Sequence, residues 1–117
     1  MSKSDDIEFI GHIYSEVTFI MNVTKDIKFD DFYKDEILKR AVTRALEIIG
    51  EATKNLDFDF KYKYPTVPWK FMAGMRDKLI HDYMGVDYLL VFKTAKDDIP
   101  ELEAQIELIL KKHNNKL

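Results

Sequence analysis

From Ser4 onward, apolar residues return every three or four positions: Ile7, Ile10, Tyr14, Val17 and Met21, with Phe9, Ile13, Ile20 and Val23 widening the stripe. That spacing predicts an amphipathic helix. Ser4 is placed to cap it, and Asp5 and Asp6 follow where the helix dipole favours acid. After the polar segment KDIKFDD, Asp30 or Asp31 stands ready to cap a second, longer helix. Its Leu38, Val42, Ala45, Ile49, Ala52 and Leu56 alternate steps of four and three, which is a bundle seam. Leu56 to Tyr64 (LDFDFKYKY) alternates with period two, the pattern of a half-buried strand. No second strand candidate exists to pair with it, and an unpaired edge is costly. An extended or partly helical connection ending at Pro65 and Pro68 is therefore expected. Pro68 suits the first turn of a third helix, with Trp69, Met72, Met75, Leu79 and Ile80 as its apolar face. Gly85 marks a stop, and Asp87 can cap a short helix through YLLVFKTAK. Asp98-x-x-Glu101 around Pro100 resembles a capping box ahead of Leu102, Ile106, Ile109 and Leu110. The expected fold is all-α, an antiparallel up-and-down bundle of four or five helices.

Composition narrows the class. With 117 residues, 46% of them apolar, residues 1–117 suit one domain with one core. Eight Phe and six Tyr exclude a disordered tail. The chain has no cysteine, hence no disulfide framework or thiolate site, and the cytoplasm is the default compartment. The longest run without Asp, Glu, Lys or Arg is eight residues, Val17 to Thr24. A membrane-spanning helix requires about 18 or more apolar residues. The start MSKSDD is too polar for a secretory signal. A net charge of −3 argues against a surface that coats nucleic acid throughout, while leaving room for a local basic groove. Of 18 basic residues only Arg40, Arg44 and Arg76 are arginine. The guanidinium fork suits carboxylate and phosphate as an ammonium does not, which draws attention to these three positions.

Gly11, Gly50, Gly74 and Gly85 are isolated, so neither a dinucleotide fingerprint nor a P-loop is present. His12, His81 and His113 stand far apart, and none belongs to an HExxH pair. No metal site and no cofactor are expected. What remains is MRDKLIHDYMGVD, in which Arg76, His81 and Tyr83 form Arg-x4-His-x-Tyr with Asp77 and Asp82 interleaved. These groups suit metal-independent cleavage of RNA. An imidazole can exchange a proton with a ribose 2′-hydroxyl or a leaving oxygen, and a guanidinium can hold the phosphate as charge builds on it. On a straight helix Arg76 and His81 lie about 140° apart, whereas Arg76 and Tyr83 lie within about 20°. Either the helix loosens toward Gly85, or two chains assemble the site, in which case a two-fold dimer supplies two histidines. The plain alternative is that a lone Arg and His on a helix serve surface and packing.

MRDKLIHDY, with RALEIIGEA at Arg44 to Ala52 and the Pro68-Trp69 pair, resembles the HepT-like toxins of the HEPN superfamily in motif order and chain length. The resemblance covers nearly the whole chain. It implies a homodimeric helical bundle whose two Arg-x4-His segments line a shared cleft, acting as an endoribonuclease. It also implies a toxin–antitoxin role, with a minimal nucleotidyltransferase partner that neutralises the toxin by transferring AMP from ATP to the motif tyrosine. Carried over, Arg76 binds phosphate, His81 is the acid or base, Tyr83 is the modified hydroxyl, and Asp77 fills the polar position after the arginine. Adenylylated Tyr83 would set bulk and negative charge beside the phosphate site.

Arg40, Arg44, Glu47 and Glu51 form a charged stripe opposite the seam of the second helix. Solvated charge is its ordinary explanation. Gly50, mid-helix beside it at a cost of ~1 kcal/mol relative to Ala, suggests close packing there. On that view the stripe faces the dimer mate or the cleft, with Glu51 paired to an arginine. An alternative function is a non-catalytic helical adaptor that binds a nucleotidyltransferase and presents its substrate.

Overall fold

The stripes read from the sequence are the surfaces that meet. In a computed structural model describing residues 3–82 and 84–115, Ile10, Ile13, Val17 and Ile20 of the first helix are fully buried against Val42, Ala45 and Ile49 of the seam and against Leu102, Ile106 and Ile109 near the C-terminus. Each such side chain removed from water stabilises the fold by about 1.5–3 kcal/mol. The elements are α1 (Lys3–Thr24), α2 (Phe29–Lys34), α3 (Glu36–Lys54), α4 (Phe58–Lys63), α5 (Trp69–His81), α6 (Tyr88–Lys93), a π-helical turn (Thr94–Asp98) and α7 (Ile99–Asn115). No strand occurs among the described residues. The all-α expectation therefore holds, with α1, α3, α5 and α6–α7 as the long members of the bundle.

Two contacts fix helix directions. At the start of α1, the buried Asp6 accepts a hydrogen bond at Oδ1 from the Asp57 backbone N–H just past the end of α3, at 3.0 Å. At its other end, the Thr24 carbonyl accepts from Lys96 Nζ in the π-turn at 2.9 Å. α1 thus runs antiparallel to both α3 and α7. α5 packs on the far side of α3, and the crossing is set by Gly50. A Cβ built on Gly50 would stand 2.2 Å from Arg76 Cβ and 2.6 Å from the Met72 carbonyl oxygen. Only hydrogen fits, which explains a glycine in mid-helix despite its entropic cost.

Local boundaries depart from the sequence reading in three places, and in one more the chain takes an option that reading left open. α1 is already helical at Lys3, so Ser4 lies inside it. Asp30 and Asp31 fall within the short α2, and the cap of the long helix is Asp35, extended at φ −88°, ψ 97°, whose Oδ1 accepts from Leu38 N at 2.9 Å. The strand-like segment folds as α4, the partly helical option. Trp69 holds it there, its indole N–H donating to the Lys61 and Tyr64 carbonyls at 3.2 and 3.0 Å. Finally, Asp98 and Glu101 form no capping box, because the chain never leaves the helical region between α6 and α7. Lys93 and Ile99 keep helical dihedrals, and the Ile99 N–H donates to the Thr94 carbonyl five residues back. The wider turn accommodates Pro100, which would otherwise clash with the carbonyl four residues before it. Burial, with Asp97 and Glu101 nearby, pushes the Asp98 carboxyl above its ordinary range, the opposite of what a capping carboxylate would show. Asp87 does cap α6, accepting from Leu90 N at 3.1 Å.

Gly50→Ala is expected to lower stability by about 1–3 kcal/mol through forced separation of α3 and α5, despite the better helix propensity of alanine. Urea titration measures it; an unchanged or raised midpoint would contradict the close crossing. Trp69→Phe, which keeps an aromatic ring but removes the N–H and part of the buried indole, should cost about 1–3 kcal/mol in the same titration.

Candidate functional site

α3 packs between α1 and α5, and its outward face is the floor of a groove walled by those two helices. The cleft there has a volume of about 350 Å³ and is lined by Phe9 and His12 of α1, Arg76 and Ile80 of α5, and Arg44, Glu47, Ile48, Glu51, Ala52 and Asn55 along the floor. The floor carries most of the charged stripe read from the sequence.

Arg76 is held in place twice. Its Cβ lies over Gly50, and its guanidinium meets two carboxylates: Nε faces Glu51 Oε2 at 3.0 Å and Nη1 donates to Asp77 Oδ1 at 3.0 Å. The Nε approach to Glu51 is a charge contact without hydrogen-bond alignment. Nη2 has no partner among the described residues, and it is the edge of the fork open to an incoming anion. Lys54 Nζ also donates to Asp77 Oδ1, at 2.7 Å. The Lys54 ammonium and then the Arg76 guanidinium hold the Asp77 carboxyl below the usual carboxylate range. Asp77 is therefore a counter-charge that orients Arg76.

The other expected site residues separate. Arg44 lines the cleft, paired with Glu47 Oε1 at 3.1 Å. Arg40 lies a turn earlier, outside the cleft, paired with Glu36 Oε1 at 3.2 Å. His81 is the last residue of α5; it is exposed and does not line the cleft. α5 does not loosen before it, since the Asp82 N–H still bonds the Lys78 carbonyl four residues back at 2.9 Å. Within this chain α5 therefore does not bring His81 to the cleft of Arg76. Tyr83 lies outside the described residues.

Two wall residues escaped the sequence reading. Ile80, assigned to the apolar face of its helix, is 39% exposed and borders the cleft. His12 was set aside because no other histidine is near in sequence, yet antiparallel packing of α1 on α3 brings it to the cleft of Arg76. Phe9, one turn earlier, meets its ring edge-on at a centroid distance of 6.2 Å. The only sequence signal was its position on the less apolar side of α1. Among the described residues no three His, Asp or Glu side chains converge as a metal-binding group, and no helix is long and apolar enough to cross a membrane.

Comparison with known proteins identifies the family. The family model described as ribonuclease HepT-like matches residues 13–109. A provisionally named RNase of Caldanaerobacter subterraneus subsp. tengcongensis is 52% identical over 104 residues, covering 89% of this chain and 93% of its own. A provisionally named RNase of Methanocaldococcus jannaschii is 49% identical over 111 residues, covering 95% and 96%. A chain of Thermococcus cleftensis with the provisional name ribonuclease HepT is 47% identical over 109 residues, covering 93% and 99%. No solved structure matches the chain. With the family model spanning most of its length, the chain belongs to the HepT-like ribonuclease family.

Proposed function

We propose that this chain is the toxin of a toxin–antitoxin pair, a homodimeric endoribonuclease that cuts RNA without a metal, using Arg76 of one protomer with His81 of the other. The observation that carries this reading is the state of α5. Arg76 lies in a groove with one guanidinium nitrogen uncommitted, while an unbroken helix turns His81 away to an exposed position. A second copy related by two-fold symmetry supplies the missing imidazole to each groove. His81 takes the proton of a ribose 2′-hydroxyl, the 2′ oxygen attacks the adjacent phosphorus, and the bond to the 5′ oxygen breaks. A 2′,3′-cyclic phosphate and a 5′-hydroxyl result. Arg76 stabilises the charge that grows on the non-bridging oxygens, an effect worth about 10²–10³ in rate for one well-placed donor. Arg44 on the groove floor serves a neighbouring phosphate.

Subunit mixing tests the composite site. Arg76→Ala and His81→Ala homodimers should each lose about 10²-fold or more of RNA cleavage. Equal amounts dissociated and reannealed should regain about a quarter of wild-type activity, because half the dimers are mixed and each holds one intact site. No regain, with mixed dimers verified by mass, would place both groups in one chain or outside the chemistry.

Regulation follows the family resemblance. The partner is a minimal nucleotidyltransferase that joins the Tyr83 oxygen to the α-phosphorus of ATP and releases pyrophosphate. The adenylyl group adds bulk and a negative charge, which repels the RNA backbone. On co-expression with that enzyme, intact mass should rise by one or more AMP units and cleavage should fall, and Tyr83→Phe should abolish both effects. Neutralisation without a mass change would instead indicate inhibition by binding alone.

A further inference from the structure

The aromatic alternation just past α3 has no part in the chemistry above. Folded as α4 it divides: Phe60 is buried against Trp69 and Tyr64, at ring-centroid distances of 6.5 and 5.2 Å, while Phe58 and Tyr62 turn outward, each 76% exposed. Their rings stand as a nearly parallel pair, with centroids 6.3 Å apart and 28° between the planes. We propose that this pair is a stacking platform for the bases of unpaired RNA, which makes the substrate a single strand. This inference rests on the nuclease reading above and names the class of RNA that the site takes.

The position of α4 in the bundle supports this. Lys54, the last residue of α3, donates to Asp77 of α5 at 2.7 Å, and Asn55 shares the cleft with Ile80, the neighbour of His81. The end of α3 and the end of α5 that carries His81 are thus together. Phe58, which opens α4, stands three residues past Asn55, so their Cα atoms are at most about 11.5 Å apart. A strand that runs along the groove floor from Arg76 past Asn55 leaves the cleft beside the platform. α4 is itself anchored at both ends, because the Asp57 N–H donates to Asp6 of α1 and the Trp69 indole donates to the Lys61 and Tyr64 carbonyls. Its outward rings sit on a fixed helix.

Chemistry selects the occupant. An aromatic pair four residues apart steadies a helix only slightly, and rings left in water gain little from burial. Base faces stack on such rings whatever the sequence, whereas a duplex presents its backbone and groove edges instead. Lys61 and Lys63 flank Tyr62 in the chain, and Lys112 reaches from α7 to within 5.8 Å of the Tyr64 ring centroid. Asp59 is the one carboxylate within α4. In a chain of net charge −3, three ammonium groups gathered at one end of a short helix fit the backbone of a polyanion.

The test measures binding with a fluorescein-labelled 2′-O-methyl oligouridylate of about twelve nucleotides, which the protein cannot cut through a 2′-hydroxyl, and with a 2′-O-methyl duplex of the same length. By fluorescence anisotropy, Phe58→Ala and Tyr62→Ala should each raise the Kd for the single strand about fivefold or more. Phe58→Tyr and Tyr62→Phe keep the rings and should bind within about twofold of wild type, and all four variants should bind the duplex as wild type does. An unchanged Kd for the single strand in both alanine variants would overturn the platform. So would parallel loss on strand and duplex, which would make the effect one of phosphate contact or folding. A smaller oligomer by light scattering in the alanine variants would make the rings a contact between copies, and failure of wild-type protein to bind the single strand would leave no platform to test for. Wild-type protein that binds the single strand but cuts no ordinary RNA would overturn the nuclease reading alone and leave the stacking site standing.

Discussion

The closest approach of two helices governs this molecule. Gly50 lets α5 settle onto α3 with the Met72 carbonyl and the Arg76 Cβ where a side chain would otherwise be. Because the contact involves Arg76 itself, the packing of α5 on α3 and the placing of an arginine in the groove are not separable here. The crossing that joins two core elements also fixes the root of a guanidinium in the groove. Displacement of α5 by even the thickness of a methyl group would move the fork relative to Glu51 on α3. Arginines placed by flexible stems alone pay more entropy for each contact they form.

Electrostatics in the groove is a matter of exchange. Arg76 rests against Glu51 and Asp77, and Arg44 against Glu47. In a chain of net charge −3, a groove with bare arginines would gather stray anions; paired ones are held against internal counter-charges. These pairs are partly exposed, and such contacts are worth little individually in water. Their geometry is thus easily traded for a phosphate, which bonds to a guanidinium through two parallel donors.

How much of this was legible in the chain follows from what each feature depends on. The seam from Leu38 to Leu56 was legible because helical period is a local property: Val42, Ala45, Ile49, Ala52 and Leu56 are buried, and Leu38 packs half-buried against the core. The close packing at Gly50 and the acid opposite an arginine were legible because a mid-helix glycine carries a cost that demands a reason. Asp35 was overlooked as a cap in favour of two earlier aspartates, since residues of one type compete equally until the backbone selects one extended position. His12 was illegible for a different reason. Its relation to Arg76 is created by two helix packings in succession, α1 on α3 and α3 on α5, and no spacing along the chain encodes that.

The π-turn between α6 and α7 bears on how this chain tolerates change in length. Val91, Ala95, Ile99, Leu102, Ile106 and Ile109 all face the core, although the first three are separated by two consecutive steps of four. An undistorted α-helix would drift about 80° over those two steps. The turn takes up the drift with a wider ring, acting as one surplus residue threaded into an otherwise regular rod. Excision of a single residue between Thr94 and Asp98 would let the rod close into uniform coil with Val91 and Ile99 seven positions apart, within about 20° of one face. Leu102, Ile106 and Ile109 would then stay on α1, and the strain would fall on Pro100, whose ring meets the carbonyl four residues back once the wider turn is gone.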